Sequence, residues 1–163
     1  MPIRLVVPGL ALVLLCCATM AAEVTGRVVA IADGDTITVL DALKEQHKIR
    51  LAFIDAPEKN QPYGQRSKQH LLELANGKQA SADCYKTDRY GRLICIVHVD
   101  GQDVGLAQIE AGLAWWYRSY AHEQLPRQRS GYESAEDRAA ADRIGLWQDQ
   151  DPVPPWEWRH QRK

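Results

Sequence analysis

The feature that most constrains this chain is a series of short alternating segments between Glu23 and Ile54. β-Branched and polar residues alternate there in VTGRVVAIADGD, TITVL and HKIRLAFID. Such alternation is typical of strands with one buried face. A tight turn at Asp33-Gly34 and a polar loop from Asp41 to Gln46 separate the segments. The first part of the chain is therefore predicted to form three successive strands.

The pattern changes after Pro57. Four apolar residues at helical spacing predict a helix from Gly64 to Ala75, which ends at Asn76-Gly77. The other predicted elements are two strands, at about Gln79 to Lys86 and Leu93 to Val99, and two helices, from Val104 to Gly112 and from about Arg127 to Arg143. The closing DPVPPWEWRHQRK is rich in proline, which predicts an irregular tail.

The order of these elements predicts the fold class. Five short strands, with one helix after the third strand and the others after the fifth, suit a small closed barrel of the oligonucleotide-binding type (OB-fold). The predicted class is α+β, mainly β, with a five-stranded barrel and about three helices. An open sheet covered by helices is the structural alternative.

The N-terminal segment predicts export. Arg4 precedes an apolar run that ends near the small residues Ala21 and Ala22, as in a secretory signal peptide. A retained membrane anchor is the alternative, but Pro8 and Gly9 interrupt the run. We therefore expect a signal peptide at 1–22, a domain at 23–149 and a Pro/Trp-rich tail at 150–163. The mature protein is expected in the periplasm or outside the cell, without membrane attachment and as a monomer.

Net charge gives no indication of a polyanionic partner. The chain has 20 Lys and Arg residues against 21 Asp and Glu, a formal net charge of −1, and the signal segment contains only one of these residues, Arg4. A site for nucleic acid would therefore have to be a local cluster of arginines.

Two cysteines, Cys84 and Cys95, remain in the mature chain. A hairpin folded about the turn residues from Asp88 to Gly91 places them opposite each other, which predicts a disulfide in an exported protein. Two buried free thiols are the alternative.

Four short motifs carry candidate chemistry, and each also has an ordinary structural explanation. Asp33-Gly34-Asp35-Thr36 can be a simple hairpin turn, and Asp55 and Glu58 follow the end of an apolar strand. Arg50 is the most informative residue, because an arginine within an apolar strand needs an anionic partner. That partner is either a ligand phosphate or one of the nearby aspartates. The fourth motif is DRYGR, a turn that presents Arg89, Tyr90 and Arg92.

Together the motifs can hydrolyse a phosphodiester. Oxygen ligands from Asp35, Asp55 and the backbone of Ala56 suit a hard divalent cation such as calcium. Arg50 and Arg92 can bind phosphate oxygens and stabilise the charge of the transition state. Glu58 can accept a proton from the attacking water.

One geometric condition applies to this site. Arg50 and Asp55 are five positions apart, so in a regular strand they would point to opposite faces. Both reach one site only if the strand bends or ends before Asp55, and Pro57 favours such an ending.

The strings IADGDTITV, IRLAFIDAPE, DRYGR, GLAQIEAGLAWWY and GLW occur here in an order that resembles the thermonuclease, or staphylococcal nuclease, family. The resemblance implies an OB-fold barrel and calcium-dependent cleavage of DNA and RNA that leaves 3′-phosphate ends. By position it implies three catalytic residues, Arg50, Glu58 and Arg92, and two metal ligands, Asp35 and Asp55, with Asp33 nearby. Ala56 would contribute its carbonyl where the best-known member has threonine.

The resemblance also concerns residues outside the catalytic and metal sets. The resemblance implies that Arg89 and Tyr90 contact substrate, with Tyr117 or Tyr120 as a further ring, and the loop from Lys59 to Tyr63 looks shorter than in the best-known member. The tryptophan pairs Trp115 and Trp116, and Trp156 and Trp158, are expected to pack against the domain, although the first pair could stack bases and the second could bind a partner. The five histidines lack the spacing of a zinc site.

The function predicted from sequence is thus a calcium-dependent nuclease acting on DNA, RNA or both. The main alternative is an OB-fold module that binds nucleic acid or peptide without catalysis, since fold alone does not determine function. A structural exported domain, whose arginines only pair with acids, is a third possibility.

Overall fold

A computed structural model of the chain describes residues 22–161. The predicted signal peptide, apart from Ala22, lies outside the described residues. Within 22–161, no helix combines the length and apolar character needed to cross a membrane.

The strands are β1 (Ala22–Ile31), β2 (Thr36–Leu40), β3 (Gln46–Leu51), β4 (Ile54–Asp55), β5 (Gln79–Thr87), β6 (Leu93–Val99), β7 (Gln102–Asp103) and β8 (Trp115–Trp116). The helices are α1 (Gly64–Ala75), α2 (Val104–Glu110), α3 (Pro126–Ala141) and α4 (Pro155–Gln161), with 3-10 turns at Arg118–Glu123 and Gly145–Gln148.

Five of the strands form a closed barrel. Strands β3, β2, β1, β5 and β6 pair in that order through antiparallel ladders. A parallel pairing of β3 with β6 then closes the sheet, with Arg50 opposite Ile94. This is the predicted OB-fold, and the α+β class is confirmed.

The barrel core comes from the alternating residues noted in the sequence. Ile37, Ile49, Leu51 and Val97 point inward and are at most 1% exposed. Burial of branched apolar side chains of this kind provides the main driving force for folding. Helices α1 and α2 cover the barrel and are themselves anchored by buried apolar residues, including Leu71 and Ile109.

The predicted helices form close to the expected positions. Helix α1 has the predicted bounds, and its end at Ala75 is followed by Gly77 with a positive φ of 76°. Helix α2 is capped by the preceding residue, Asp103, whose side chain accepts hydrogen bonds from the backbone of Gly105 and Leu106.

The prediction of an irregular tail was wrong. Residues Pro155–Gln161 form helix α4, which begins at the last proline of the proline-rich stretch. Proline is compatible with the first turn of a helix, where its missing N–H is not needed, so PVPP starts this helix and does not prevent it. Trp156 packs against Trp115 and Tyr117, with ring centroids 5.8 and 5.6 Å apart. The expected packing of Trp156 is therefore confirmed.

The predicted disulfide is present. Cys84 and Cys95 lie opposite each other on β5 and β6, and their sulfurs are bonded. Both are almost fully buried, with 3% and 0% exposure. The bond lies midway along the hairpin whose turn carries DRYGR.

Removing this disulfide should lower the free energy of unfolding by about 3 kcal/mol, because the crosslink closes a short loop and restricts the unfolded chain. Thermal unfolding with and without reductant measures the effect. The double variant Cys84→Ala/Cys95→Ala is the control, since its melting temperature should not respond to reductant. Equal melting temperatures for oxidised and reduced wild type would contradict the expectation.

Candidate active site

The proposed catalytic residues line one open pocket of about 780 Å³ on the side of the barrel. Its walls come from the β1–β2 turn, the chain after β3, the β5–β6 hairpin and helix α4. Every candidate catalytic, metal and substrate residue contributes to it: Asp35, Arg50, Asp55, Ala56, Glu58, Arg89, Tyr90, Arg92 and Tyr117. The disulfide cysteines do not line it.

Two aspartates and an arginine form the buried floor of the pocket. Arg50 Nη2 lies 2.8 Å from Asp55 Oδ1 and 3.2 Å from Asp35 Oδ2. Arg50 Nη1 donates to the carbonyl of Ile54 at 3.1 Å. Asp35 and Asp55 are only 7% and 1% exposed. The ion pair expected as the ordinary explanation for Arg50 therefore exists, and it lies inside the pocket.

A sharp bend after β3 resolves the geometric condition on Arg50 and Asp55. Strand β3 ends at Leu51, and Phe53 adopts a left-handed conformation with φ 64°. The chain then forms β4, in which Asp55 pairs with Trp115. The bend lies at Ala52 and Phe53, before Pro57, and it turns Asp55 toward Arg50.

Two hydrogen bonds, one from β2 and one from the chain after β4, hold the Asp35 carboxylate in place. The carboxylate accepts from Thr36 Oγ1 at 3.0 Å and from the backbone N–H of Ala56 at 3.1 Å. Gly34 is required in the β1–β2 turn, because a Cβ there would overlap Ser67 Oγ and Ala56 Cβ.

Gln108 of α2 supports the same turn from behind. It is fully buried, and its Nε2 donates to the carbonyls of Gly34 and Ser67 at 2.7 and 3.0 Å. Its Oε1 lies 2.6 Å from His70 Nδ1. This buried amide thus joins α2, α1 and the β1–β2 turn, and it keeps the acidic turn at a fixed distance from the helices.

The β5–β6 turn presents Arg92 to the pocket. Asp88 accepts from Arg92 Nε at 2.7 Å and from the backbone of Tyr90 at 2.8 Å. Arg92 Nη1 also reaches Thr36 Oγ1, at 3.3 Å. The guanidinium groups of Arg89 and Arg92 lie near the ring of Tyr90. Tyr90 is nevertheless 68% exposed, so its ring is available to a ligand.

Glu58 lies at the pocket rim with its side chain 40% exposed. Its backbone N–H donates to Gln61 Oε1 at 3.0 Å, and Gln61 Nε2 donates to the carbonyl of Val153 at 2.7 Å. Gln61 therefore connects the Glu58 loop to the segment that leads into α4.

Arg159 of α4 also reaches the candidate residues. Its Nη2 donates to Asp55 Oδ2 at 2.7 Å, and its Nη1 donates to Glu58 Oε1 at 2.8 Å and to Asp55 Oδ1 at 3.3 Å. Two arginines therefore share the Asp55 carboxylate, one from β3 and one from the C-terminal helix.

The aromatic residues form the far wall of the pocket. Tyr117 and Tyr120 both line it, and their ring centroids are 5.3 Å apart. Trp156 stacks on Tyr117, with an interplanar angle of 20°. Trp116 is buried and donates through Nε1 to Gln124, so it belongs to the core.

Burial and charge shift the pKa values of several pocket groups. Burial and the neighbouring charge of Asp35 raise the pKa of Asp33 to about 6. Burial also raises the pKa of Asp55, despite the hydrogen bond from Arg159 and the charge of Arg50. Burial opposes the charged form of Arg50, but Asp35 and Asp55 more than offset this and raise its pKa.

The chemistry of the floor fits a hard divalent cation. Asp35 and Asp55 offer only oxygen donors, and both carboxylates are almost completely removed from water. Buried carboxylates need a positive partner, and here two guanidinium groups supply it. A divalent cation between the same two carboxylates would meet this need equally well, with the Ala56 backbone adjacent.

A second group of ligand-type side chains lies away from the pocket. Asp41, Glu45 and His47 bring ligand atoms within 4.8 Å of one another in the β2–β3 loop. Asp41 accepts from the Glu45 backbone and bonds His47 Nε2, both at 2.8 Å. These bonds stabilise the loop, and we assign the group to that structural role.

Comparison with known proteins gives the family. The sequence profile described as "Staphylococcal nuclease homologue" matches residues 48–149. An "Uncharacterized endonuclease" of Haemophilus influenzae is 41% identical over 139 residues, which cover 85% of this chain and 75% of that protein. A protein of the same name from Escherichia coli O157:H7 is 40% identical over 144 residues, which cover 88% of this chain and 90% of that protein. A "Micrococcal nuclease" of Shigella flexneri is 36% identical over 151 residues, which cover 87% of this chain and 84% of that protein.

The chain belongs to the staphylococcal nuclease homologue family.

The matched range of the staphylococcal nuclease homologue family contains Arg50, Asp55, Glu58 and Arg92. It begins after Asp35 and ends before helix α4. Arg159 therefore lies beyond the part of the chain that the family profile describes.

Sequence reasoning missed three residues of the site. Arg159 was overlooked because the tail was expected to be irregular, although RHQRK follows two tryptophans that could anchor it. Gln61 and Gln108 gave no signal, because a glutamine in a loop or helix looks like ordinary surface until its burial is known.

Proposed function

We propose that this chain is a metal-dependent nuclease that hydrolyses phosphodiester bonds of DNA or RNA, with calcium as the metal. One observation carries the proposal: a single pocket brings together the buried carboxylates of Asp35 and Asp55, the accessible carboxylate of Glu58, and two arginines, one from β3 and one from the β5–β6 turn. Each of these groups has a role in phosphodiester hydrolysis.

Arg50 and Arg92 bind and polarise the phosphate. Both guanidinium groups face the pocket, from β3 and from the β5–β6 turn. A planar guanidinium can bond two phosphate oxygens at once, and its charge stabilises the additional negative charge of the transition state. Asp88 fixes the Nε edge of Arg92 and leaves Nη1, which bonds only weakly to Thr36, directed at the pocket.

Glu58 acts as the general base. It is the most accessible of the three carboxylates, so water can reach it, whereas Asp55 is 1% exposed. Its Oε1 accepts a hydrogen bond from Arg159, which leaves Oε2 to take a proton from water. The burial of Asp35 and Asp55 suits them to metal ligation and excludes them from proton transfer with solvent.

Asp35 and Asp55, with the Ala56 backbone, would hold the calcium ion. Such an ion neutralises phosphate charge and orients the substrate when it is bound. The hydrogen bond from the Ala56 N–H and the support of Gln108 fix Asp35 in place for this role.

The exposed rings provide sequence-tolerant contacts with nucleotides. Tyr90 is available on the hairpin turn with Arg89 beside it, and Tyr117 lies on the opposite wall. Aromatic rings stack on any base, so such contacts bind substrate without strong sequence preference.

The test is cleavage of single-stranded DNA by the protein, with calcium and then with excess chelator. We expect cleavage only with calcium, and a large loss in Asp55→Asn, because the amide removes a buried negative charge that the metal needs. Asp100→Asn is the matched control, since Asp100 lies in an exposed turn outside the pocket and pairs only with Lys78.

Two results would contradict the proposed function. One is DNA that stays intact with calcium. The other is equal cleavage by wild type and Asp55→Asn, which would show that Asp55 does not hold a metal needed for cleavage.

A further inference from the structure

The C-terminal helix α4 places a positive charge on the proposed metal ligand. Arg159 donates to both oxygens of Asp55, at 2.7 and 3.3 Å, and to Glu58 at 2.8 Å. The Arg159 side chain thus contacts both a proposed metal ligand and the proposed general base. Arg159 lies after residues 48–149, the range that the family profile matches.

The Asp55 carboxylate has few acceptor positions left for a metal when Arg159 is bound. A carboxylate offers about four acceptor positions. Arg50 and Arg159 share Oδ1, and Arg159 takes a position on Oδ2. A metal ligated by Asp55 would lie within about 5 Å of the Arg159 guanidinium, and like charges at this separation repel strongly in a partly buried site.

The attachment of α4 to the barrel does not depend on the Arg159 side chain. The helix is fixed at its start, where Gln61 bonds Val153 and where Trp156 packs on Tyr117 and Trp115. Arg159 lies one turn later, and its side chain is 43% exposed. A long flexible side chain at this position can leave Asp55 for solvent without unfolding the helix.

We propose that Arg159 is an internal cation of the metal site: it competes with the divalent metal for Asp55 and thereby sets the metal concentration that the protein requires. The proposal rests on the proposed function, because it assumes that Asp55 is a metal ligand. It also explains how two buried carboxylates are tolerated in the metal-free protein, since Arg50 and Arg159 together neutralise them.

Competition of this kind lowers apparent metal affinity by the fraction of protein in which Arg159 is away from Asp55. If that fraction is about one tenth, removing Arg159 increases the affinity about tenfold. Linkage also requires the reverse effect, so that bound metal weakens the Arg159 contact by the same factor.

The experiment is a calcium titration by calorimetry of the complete chain and two variants. Arg159→Ala should lower the Kd for calcium about tenfold. Arg127→Ala is the matched control, because it removes the same charge from an exposed position on α3 outside the pocket, and its Kd should stay within about twofold of wild type.

Thermal unfolding gives a second readout that does not depend on activity. Arg159→Ala should melt below wild type without calcium, because Asp55 and Glu58 lose a partner. Calcium should then raise the melting temperature of Arg159→Ala more than that of wild type.

The outcomes separate this proposal from the proposed function. If wild type binds calcium and Arg159→Ala binds it equally or more weakly, the competition is wrong while the metal site stands. If neither protein binds calcium, the metal site and this proposal both fail.

Discussion

Arg50→Lys should reduce the rate of phosphodiester cleavage by about 10²-fold or more, while the protein stays folded. The loss is expected because an ammonium group cannot bond two phosphate oxygens in the way a guanidinium does, and one transition-state donor is typically worth that much. In the protein, Arg50 uses separate nitrogens for the Ile54 carbonyl and for Asp55. Lysine keeps the charge but cannot make both contacts.

Lysine is the informative replacement at this position. Alanine would leave Asp35 and Asp55 with one fewer cation, and buried carboxylates without a partner destabilise the folded protein. A loss of activity in that variant could then come from unfolding as well as from catalysis. Steady-state cleavage of single-stranded DNA and a melting curve should be measured together. Arg129→Lys, at an exposed position on α3, is the control. A fully active Arg50→Lys would show that bidentate phosphate binding by this residue is not part of catalysis.

Glu58→Gln should reduce cleavage by about 10²- to 10⁴-fold, because the amide cannot accept the proton of the attacking water. The replacement has nearly the same shape, and its Oε1 can still accept the hydrogen bond from Arg159. We therefore expect little change in melting temperature.

Calcium affinity distinguishes a base from a ligand at Glu58. A general base contributes to the rate, so calorimetry should give nearly the same calcium Kd for Glu58→Gln and wild type. Glu133→Gln, on the exposed face of α3, controls for loss of one negative charge. Cleavage by Glu58→Gln at the wild-type rate would exclude this residue as the base.

The local patterns of the sequence were enough to predict the barrel and most helices. Period-two alternation placed β2 and β6, and the spacing of leucines placed α1 with its observed bounds. The hairpin centred on DRYGR also predicted the disulfide, because antiparallel pairing determines which residues are opposite. These features depend on neighbours in sequence or on a single hairpin.

The parts that escaped prediction depend on contacts between distant segments. The bend that brings Asp55 beside Arg50 comes from the left-handed conformation of Phe53, a residue with no turn signal. Gln108 bonds a turn 74 positions earlier in the chain, and Arg159 bonds a carboxylate 104 positions earlier. No local periodicity reports such pairings, because they exist only after the barrel and the tail have packed.

The parallel pairing of β3 with β6 has a consequence for how activity appears during folding. Arg50 and Arg92 lie on separate segments until Arg50 aligns with Ile94, two residues beyond Arg92, so the catalytic pair assembles at the seam where the sheet closes. Contacts between segments so distant in sequence are slow to form. A partly folded chain with three strands paired would therefore be inert toward nucleic acid. During refolding, the rate at which cleavage activity returns would therefore measure closure of the barrel. The rate at which the spectroscopic signal of β-strands returns would measure formation of the hairpins.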